Sequence, residues 1–434
     1  MVSKKESRTL VKDVKAGKKL VLKGWVKDKR DLGKLKFLLL RDRTGTIQVT
    51  AHKNNVPKKV FDEMDKVTTE SAVVLSGTSK ASDKAPGGIE VNPESFEILS
   101  LSEAVLPIDL SDHSKTDIAK RLDWRFLDTR RDNISKIFKV RSKIFKHTTE
   151  YFDSAGFTNI NTPKTTRLGL EGGATLFNLM YFGKSAFLAQ SPQLYKQMFV
   201  GGGFERVYEI APVFRAEKSN TTRHLAEFTG ADMEMGFIED ENDIMDVLEA
   251  WMKYLVIELK KSCKSELKDL GVDLKAPSDI PRIEMSEAKK MLAKQGKKLK
   301  KDDDLDAEAE RMFSKIVKEK YGSDFVFVTN YPYAVRPFYH MKKGKDGTNS
   351  FDLLWNGVEI CTGAQREHRL DILEKQAKGK GIVLDPIYAS IFKYGMPPHG
   401  GAGFGLDRMT QRVLELDNIR EALLLTRDPE RITP

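Results

Sequence analysis

A period-two alternation of apolar and polar positions dominates residues 19–99. KLVLKGWV (19–26), LKFLLLRD (35–42), GTIQVTAH (45–52), SAVVLSGTS (71–79) and IEVNPESFEIL (89–99) are five β-rich runs. Gly, Asp and Lys turns separate most of them, and a helical stretch, VPKKVFDEMDKV, joins the third to the fourth. Five strands with a helix in that place predict an OB-fold β-barrel. From about residue 134 the period becomes helical. In ISKIFKVRSKIFKHTTEYFDSAG, Ile137, Val140, Ile144, Phe145 and Tyr151 form one apolar face, and Gly156 ends the helix. Short strands follow, among them AFLAQS, RVYEIAPVFRAE and FDLLWNGVEI, with helical segments at 242–262 and 405–416. This mixture predicts an α+β domain with a mostly antiparallel sheet flanked by helices. The expected organisation is a barrel over 1–105, a hinge over 106–133 where Pro107 and polar turns break the periodicity, and a larger domain over 134–434. Residues 264–323, rich in Lys, Asp and Glu and weakly periodic, read as an inserted helical subdomain on the surface. No tandem repeat is visible.

Composition narrows this only a little. A chain of 434 residues that is 40% hydrophobic is an ordinary globular protein of two or three domains. No apolar run approaches the roughly 20 residues of a membrane helix. MVSKKESRTLVKD has no signal-peptide stretch, so a cytoplasmic protein is expected. Cys263 and Cys361 stand far apart without a CxxC pair and read as reduced thiols. The net charge of +10 suits a polyanionic partner such as nucleic acid. OB folds bind single strands by stacking bases on aromatics in a basic groove, and Phe37 with Lys34, Lys36 and Arg41 fits that. By pattern alone, core is the simpler reading of Phe37.

The familiar nucleotide motifs are absent. GKS at 183–185 has Asn178 where a P-loop needs glycine, and GGG at 201–203 lacks dinucleotide-fold spacing. VFRAEKSNTTRHLAEF (213–228) offers another kind of site: Arg215 and Glu217 end a strand, Lys218 and Arg223 lie in a loop, and His224 and Phe228 follow. Such a set can hold a phosphate, an amino group and a flat base together. Near the end of the chain, GGAGFGLDRMTQRVLEL (400–416) sets glycines before Arg408, which opens an amphipathic helix and can clamp a phosphate.

FRAE–loop–HxxxF and GFGLDR resemble motifs 2 and 3 of the class II aminoacyl-tRNA synthetases. SAGFTNINTPK (154–164) resembles motif 1, which implies a homodimer formed through the segment around Pro163. QSPQLYKQ (190–197), EGGATLF (171–177), EICTGAQREH (359–368), FKYGMPPHGGAG (392–403) and LTRDPERITP narrow the resemblance to the aspartyl branch, archaeal and eukaryotic type. It spans roughly residues 19–434 and is weakest over 264–323. It implies ATP, L-aspartate and tRNA-Asp as partners. The family has a strict form and a relaxed form that also serves tRNA-Asn; the tip Lys84-Ala85-Pro86-Gly87-Gly88, poor in base-reading groups, points to the relaxed form, while Lys27 points to the strict one. Arg215 is expected on the α-phosphate and the aspartate carboxylate, Glu217 on the adenine amino group and Phe228 against its ring. Arg223 and His224 belong near the outer phosphates and Arg408 near the γ-phosphate; Leu225, Gly405 and Asp407 complete the ATP site. Asp352 and Glu359, with Thr362, would carry Mg²⁺ with ATP, an ion that prefers oxygen ligands. Lys196 and Arg366 would fix the aspartate side chain, Arg366 through two parallel hydrogen bonds. Glu171, Gln193 and Asp232 would hold the α-amino end. In the barrel, Arg30, Phe37 and Gln48 match anticodon-reading positions, which turns the reading of Phe37 to stacking, and Lys27 and Pro86 flank them. Cys361-Thr362 replaces the family's usual Ser-Ser, and Thr362 keeps the hydroxyl.

The resemblance implies chemistry without a protein nucleophile. The aspartate carboxylate attacks the α-phosphorus, pyrophosphate leaves, and Arg215, Glu359 and Arg408 serve the transfer by positioning and charge. The tRNA 3′-hydroxyl then takes the aspartyl group. The rivals are an asparaginyl-tRNA synthetase, a tRNA-independent asparagine synthetase and a non-catalytic RNA-binding paralogue. Lys196 opposes the first, because a cation is a poor neighbour for a neutral amide. The OB unit opposes the second. Retention of Arg215, Glu359 and Arg408 opposes the third.

Overall fold

The computed structural model describes residues 7–167, 176–218 and 221–434. These form two compact units, one ending at Asp109 and one beginning at Leu110.

The first unit is a closed barrel of β1 (Lys19–Asp31), β2 (Leu35–Asp42), β3 (Gly45–His52), β4 (Ala72–Ala81) and β5 (Ile89–Ser100), in the order β1-β2-β3-β5-β4. α1 (Lys58–Lys66) joins β3 to β4. Alternation sends Leu38, Leu40, Ile47, Val49, Leu75 and Val91 inward, where Phe61 and Met64 of α1 join them. Lys36 is in phase with Leu38 and Leu40, and this overturns its expected place in a basic groove. It is 2% exposed, donates to Phe61 O at 3.0 Å and pairs with Asp65. Arg41 is likewise buried, paired with Glu70 at 2.6 Å. A buried cation takes a protein partner because desolvation leaves it no alternative.

The second unit is built on an eight-stranded sheet. Its strands are β6 (Thr158–Asn159), β7 (Arg206–Phe214), β8 (Glu227–Gly236), β9 (Arg282–Glu284), β10 (Phe325–Thr329), β11 (Ser350–Trp355), β12 (Val358–Gln365) and β13 (His399–Gly405). The order is β9-β10-β11-β12-β13-β8-β7-β6, antiparallel except for the two edge pairs. α2 (Asp132–Ser154) and α4 (Glu241–Ser262) cover one face, where Ile137, Val140, Ile144, Trp251 and Leu255 share a core with Phe404 of β13. Gly156 ends α2 at φ +79°, a conformation that suits glycine. The opposite side carries the shorter α3 (Gln193–Phe199), close to β7 and β8.

Two segments are more structured than their sequence suggests. Residues 106–133 hold short helices at Ile118–Asp123 and Arg125–Asp128, with Arg125 buried against Asp128 at 2.6 Å and donating to Glu421 O at 2.9 Å. Residues 264–323 contribute the edge strand β9 as well as helices Met285–Lys294 and α5 (Ala307–Tyr321). Their apolar faces, with Leu292, Phe313 and Val317, pack on Val326 and Val328 of β10. The GGG stretch sits in a π-turn, Val200–Phe204. Gly203 has φ +97°, and a Cβ at Gly201 would press Ile391 and Met396 at 2.8 Å.

Candidate active site

Strand alternation on β8 puts Gly230, Asp232 and Glu234 on one face. Below them, the first turns of α3 bring up Gln193 and Lys196. Lys196, 2% exposed, reaches Asp232 at 2.7 Å and Glu234 at 3.3 Å. Arg366, one residue past β12 and also 2% exposed, lies beside them. Its Nε donates to Glu234 Oε1 at 2.8 Å, and Nη2 donates to Glu234 Oε2 at 3.2 Å, Gln193 Oε1 at 3.3 Å and Gly401 O at 2.9 Å. Nη1 meets His340 Nε2 at 3.1 Å. The glycines of β13 permit this crowding: a Cβ at Gly401 would collide with Met233 O and the Glu234 carboxylate, and one at Gly403 would stand 3.1 Å from Asp232 Oδ2. Glu234 is wholly buried, yet the two cations hold its carboxyl below the ordinary range against the opposing effect of burial.

At the other end, β7 and β8 form a hairpin in which Val213 faces Phe228 and Phe214 faces Glu227. Arg215 leaves β7 with its N–H on Ala226 O at 2.9 Å, and its guanidinium stands 5.4 Å from the Phe228 ring centre. Its Nε is buried without a partner. The His224 ring nitrogen Nδ1 contacts Thr221 Oγ1 at 2.6 Å, and burial holds the imidazole below its usual pKa. Arg408, in the first turn of α6 (Leu406–Val413), donates to Glu359 O at 2.7 Å and lies 3.7 Å from Glu359 Oε1. Thr362 Oγ1 donates to Glu359 Oε1 at 3.2 Å. Asp352, across β11–β12 from Thr362, pairs with Arg336 at 2.7 Å, while its Oδ1 is buried and unpartnered. Burial, and then the nearby charge of Glu359, raise the Asp352 carboxyl despite Arg336. Glu310 of α5 faces Arg223 at 3.5 Å, and burial with the charge of Glu359 pushes its carboxyl up to about 8.

One cavity of about 350 Å³ joins both ends. Gln193, Arg215, Glu217, Arg223, His224, Leu225, Phe228, Asp232, Glu359, Thr362, Arg366, Gly405, Asp407 and Arg408 all line it. Lys196 and Asp352 are buried residues bonded to that lining, Lys196 through Asp232 and Asp352 through Arg336. Glu171 lies outside the described residues. Asp407 is already engaged: Oδ1 takes Arg141 at 2.7 Å and Oδ2 takes the Thr229 N–H at 2.7 Å, so it braces β8 against α2 and α6. Arg366 presents its Nε–Nη2 edge to Glu234, and the expected double contact to a substrate carboxylate is thereby taken up. Glu234, Glu310, Arg336 and His340 were not singled out from the sequence. Glu234 alone left a trace there, as a second carboxylate two residues from Asp232 on a strand. In the barrel, Arg30 stands opposite Phe37, and Phe37 is half-buried outside the core cluster. Gln48 donates to Glu90 at 2.9 Å. Lys27 is half-buried, and Pro86 is exposed in the β4–β5 loop.

A cation fits between Asp352 and Glu359, because the two carboxylates repel each other and Asp352 Oδ1 stays without a partner, even with Arg336 and Arg408 beside them. Among the described residues no group of three or more His, Cys, Asp or Glu is placed to hold a metal. Further ligands would have to come with the substrate.

Comparison with known proteins adds to this geometry. The family of class II tRNA synthetases for D, K and N matches residues 117–429, and the OB-fold nucleic acid binding domain matches residues 20–99. The chain is 44% identical to an aspartate–tRNA(Asp/Asn) ligase of Methanopyrus kandleri over 96% of each chain. It is 43% identical to an aspartate–tRNA(Asp) ligase of Pyrococcus horikoshii, over 96% of this chain and 97% of that one. Among solved structures, asparaginyl-tRNA synthetase from Pyrococcus horikoshii complexed with asparaginyl-adenylate superposes with TM-score 0.92 at 34% identity, covering 99% and 100% of the two chains. A putative aspartyl-tRNA synthetase from Leishmania major superposes with TM-score 0.90 at 32% identity, covering 100% and 96%.

Proposed function

The chain belongs to the class II aminoacyl-tRNA synthetases for aspartate, lysine and asparagine, and from that premise we propose that it activates L-aspartate with ATP and transfers it to tRNA. The observation that carries the choice of aspartate is the buried pair Lys196 and Arg366 at the closed end of the cavity. Asp232 and Glu234 already balance their charge, but the N–H groups left over beside them, on Arg366 Nη1 and Gln193 Nε2, suit a carboxylate and leave the amide N–H of asparagine without an acceptor. Arg215, at the nucleotide end beside Phe228, would meet the α-phosphate and the α-carboxylate, with Phe228 as the adenine platform. Arg223, His224 and Arg408 take the outer phosphates. Asp352 and Glu359 would hold Mg²⁺ together with phosphate oxygens, and that ion supplies charge neutralisation at the phosphates. The protein's own share is to align the carboxylate with the α-phosphorus and offset the developing charge with Arg215. Aspartate-dependent ATP–pyrophosphate exchange, run beside the asparagine-dependent reaction, tests this. Faster exchange with asparagine would defeat it.

The barrel serves the tRNA, with Arg30 and Phe37 side by side on its outer face and Gln48 and Lys27 near them. Removal of residues 1–105 is expected to spare exchange and strip tRNA charging. A truncation that loses both equally would assign the barrel a folding role. The working unit in this reading is a homodimer through the segment around Pro163, and light scattering that finds an active 49.1 kDa monomer would contradict it. We further propose that both tRNA-Asp and tRNA-Asn are charged. The exposed β4–β5 tip, Pro86-Gly87-Gly88, offers no side-chain hydrogen bond to tell C from U. Reading one base is worth about 1–3 kcal/mol, or about 5- to 150-fold, so a preference for tRNA-Asp of about a hundredfold or more would exclude this.

A further inference from the structure

Arginine never accepts a hydrogen bond, so the 3.1 Å contact between Arg366 Nη1 and His340 Nε2 has one reading. His340 Nε2 is the unprotonated acceptor, and the ring proton sits on Nδ1. That nitrogen is buried, and no partner meets it. His340 is 2% exposed and lines the same cavity as Arg366. Burial and the charge of Arg366 keep its imidazole neutral. Gln193 repeats the arrangement: its Oε1 takes Arg366 Nη2, and its Nε2 is buried without a partner.

The acceptors around Arg366 are therefore committed. Both Glu234 oxygens serve Arg366, and one also faces Lys196. Gly401 O takes Arg366, and Ala402 O takes Lys196. Nε and Nη2 of Arg366 are engaged by Glu234, Gln193 and Gly401, and one Nη1 N–H is spent on His340. Asp232 also lines the cavity, with Oδ2 on Lys196, and belongs to the α-amino end; around Arg366 itself, among the described residues, what remains is its second Nη1 N–H with the unpartnered donors of His340 and Gln193.

We propose that His340 is a specificity-determining residue for the amino-acid side chain. Its Nε2 orients the Arg366 guanidinium, and its Nδ1–H adds to the donors grouped around Arg366, a surface that accepts a carboxylate and leaves an amide N–H unmatched. The inference rests on the reading of this pocket as the aspartate site. His340 acts on the ligand mainly through Arg366 and is a positioning residue.

The experiment is ATP–pyrophosphate exchange with aspartate and with asparagine, on the full-length chain and on His340→Leu and His340→Gln. The Leu variant is expected to raise the KM for aspartate about tenfold and to lower the aspartate-over-asparagine preference by a similar factor, with the KM for ATP unchanged. The Gln variant, whose Oε1 reaches toward Arg366, is expected to restore most of both. His340→Asn, too short to reach the guanidinium, replaces the Leu arm should leucine destabilise the fold. Wild-type values in the Leu or Asn arm overturn the proposal, as does a Gln variant no better than Leu. A parallel rise in both KM values also overturns it, since that marks a general packing role. A wild-type chain that prefers asparagine overturns the reading of the pocket itself and is recognisable without any variant.

Discussion

The two ends of the cavity handle charge in opposite ways. At the amino-acid end, Lys196 and Arg366 are both 2% exposed, and each is bonded to a buried carboxylate of β8. Their geometry is complete before any ligand arrives. At the nucleotide end, Arg408 and Glu359 are about a quarter and a third exposed, and Arg223 meets Glu310 only at 3.5 Å. There Asp352 and Glu310 are held above the ordinary carboxylate range by burial and by Glu359. Fixed, mutually satisfied charges reject a wrong ligand, because the ligand must match a pattern that cannot relax. Loosely paired and mutually repelling charges await a ligand that brings its own, as a polyphosphate with a divalent cation does. One end is built for selection and the other for assembly.

The most severe way to break the first end is to remove one of its cations. Lys196→Leu leaves Asp232 and Glu234 buried with one partner fewer, and Arg366→Leu strips Glu234 of its fork. Loss of one partner from such a contact costs about 2–5 kcal/mol. Aspartate-dependent exchange should fall by two orders of magnitude or more while ATP binding, followed by equilibrium titration, persists. Near-normal exchange in either variant would refute the assignment of the pocket.

The nucleotide end was far more legible in the sequence than the amino-acid end. Arg215, Glu217, His224 and Phe228 lie within one hairpin, so their spacing along the chain is their spacing in space. The network around Arg366 is assembled from α3, β8, β13 and the residues before β11. Glu234 looks like one polar residue in ADMEMG until β13 packs beside it, and His340 gains its role only from the bridge to Arg366. The barrel was legible to within a few residues because alternation directly encodes facing. The same rule exposes Lys36 as inward, in phase with Leu38 and Leu40. A basic residue beside an aromatic invites a functional reading, and here strand phase outweighs it.

Acid gives a second contrast. His399 lies behind the amino-acid end: its carbonyl takes the Arg366 N–H at 2.8 Å, its Nδ1 meets Pro397 O at 2.9 Å, and burial pushes its pKa down to about 4. The unfolded chain, with an ordinary histidine near 6.5, binds more protons between those values, so stability rises with pH from about 4 to about 6.5. The contribution is on the order of 3 kcal/mol. Denaturant midpoints of wild type and His399→Gln, measured side by side across that range, should diverge by this contribution, the variant having the less positive slope. An unchanged slope in the variant would mean other groups carry the acid sensitivity. Glu310 works against this: its carboxyl, near 8, stays protonated in the folded chain while the unfolded acid ionises above about 4.5, so its contribution to stability falls with pH across the same window.

On the assembling side, Phe228 is only partly buried, with its ring against Leu225, Ile419 and Leu423 and the Arg215 guanidinium nearby. Base stacking on an aromatic ring is worth about 1–3 kcal/mol, so Phe228→Ala should raise the KM for ATP about tenfold. The KM for aspartate should stay within about twofold, since no bond of Phe228 reaches the Arg366 network. Steady-state exchange kinetics separate the two constants. Equal effects on both would mean that the two ends are one cooperative site and that the contrast between them is wrong.

The smallest effect expected is the loss of Arg223 in the absence of ligand. Among the described residues its one ion-pair partner is Glu310, at 3.5 Å, and with a pKa of about 8 that carboxyl is largely protonated at pH 7. A neutral carboxylic acid gives the guanidinium little Coulombic attraction, so at pH 7 this contact contributes no more than about 0–1 kcal/mol. Arg223→Leu should therefore leave the unfolding midpoint of the free chain within about 1 kcal/mol of wild type. With ATP and Mg²⁺ present the two proteins should separate, because the wild type gains the linkage stabilisation of a tightly held nucleotide and the variant gains less of it. Chemical denaturation in both conditions makes the comparison directly. A free variant destabilised as strongly as Lys196→Leu would show that the nucleotide end is as preformed as the other.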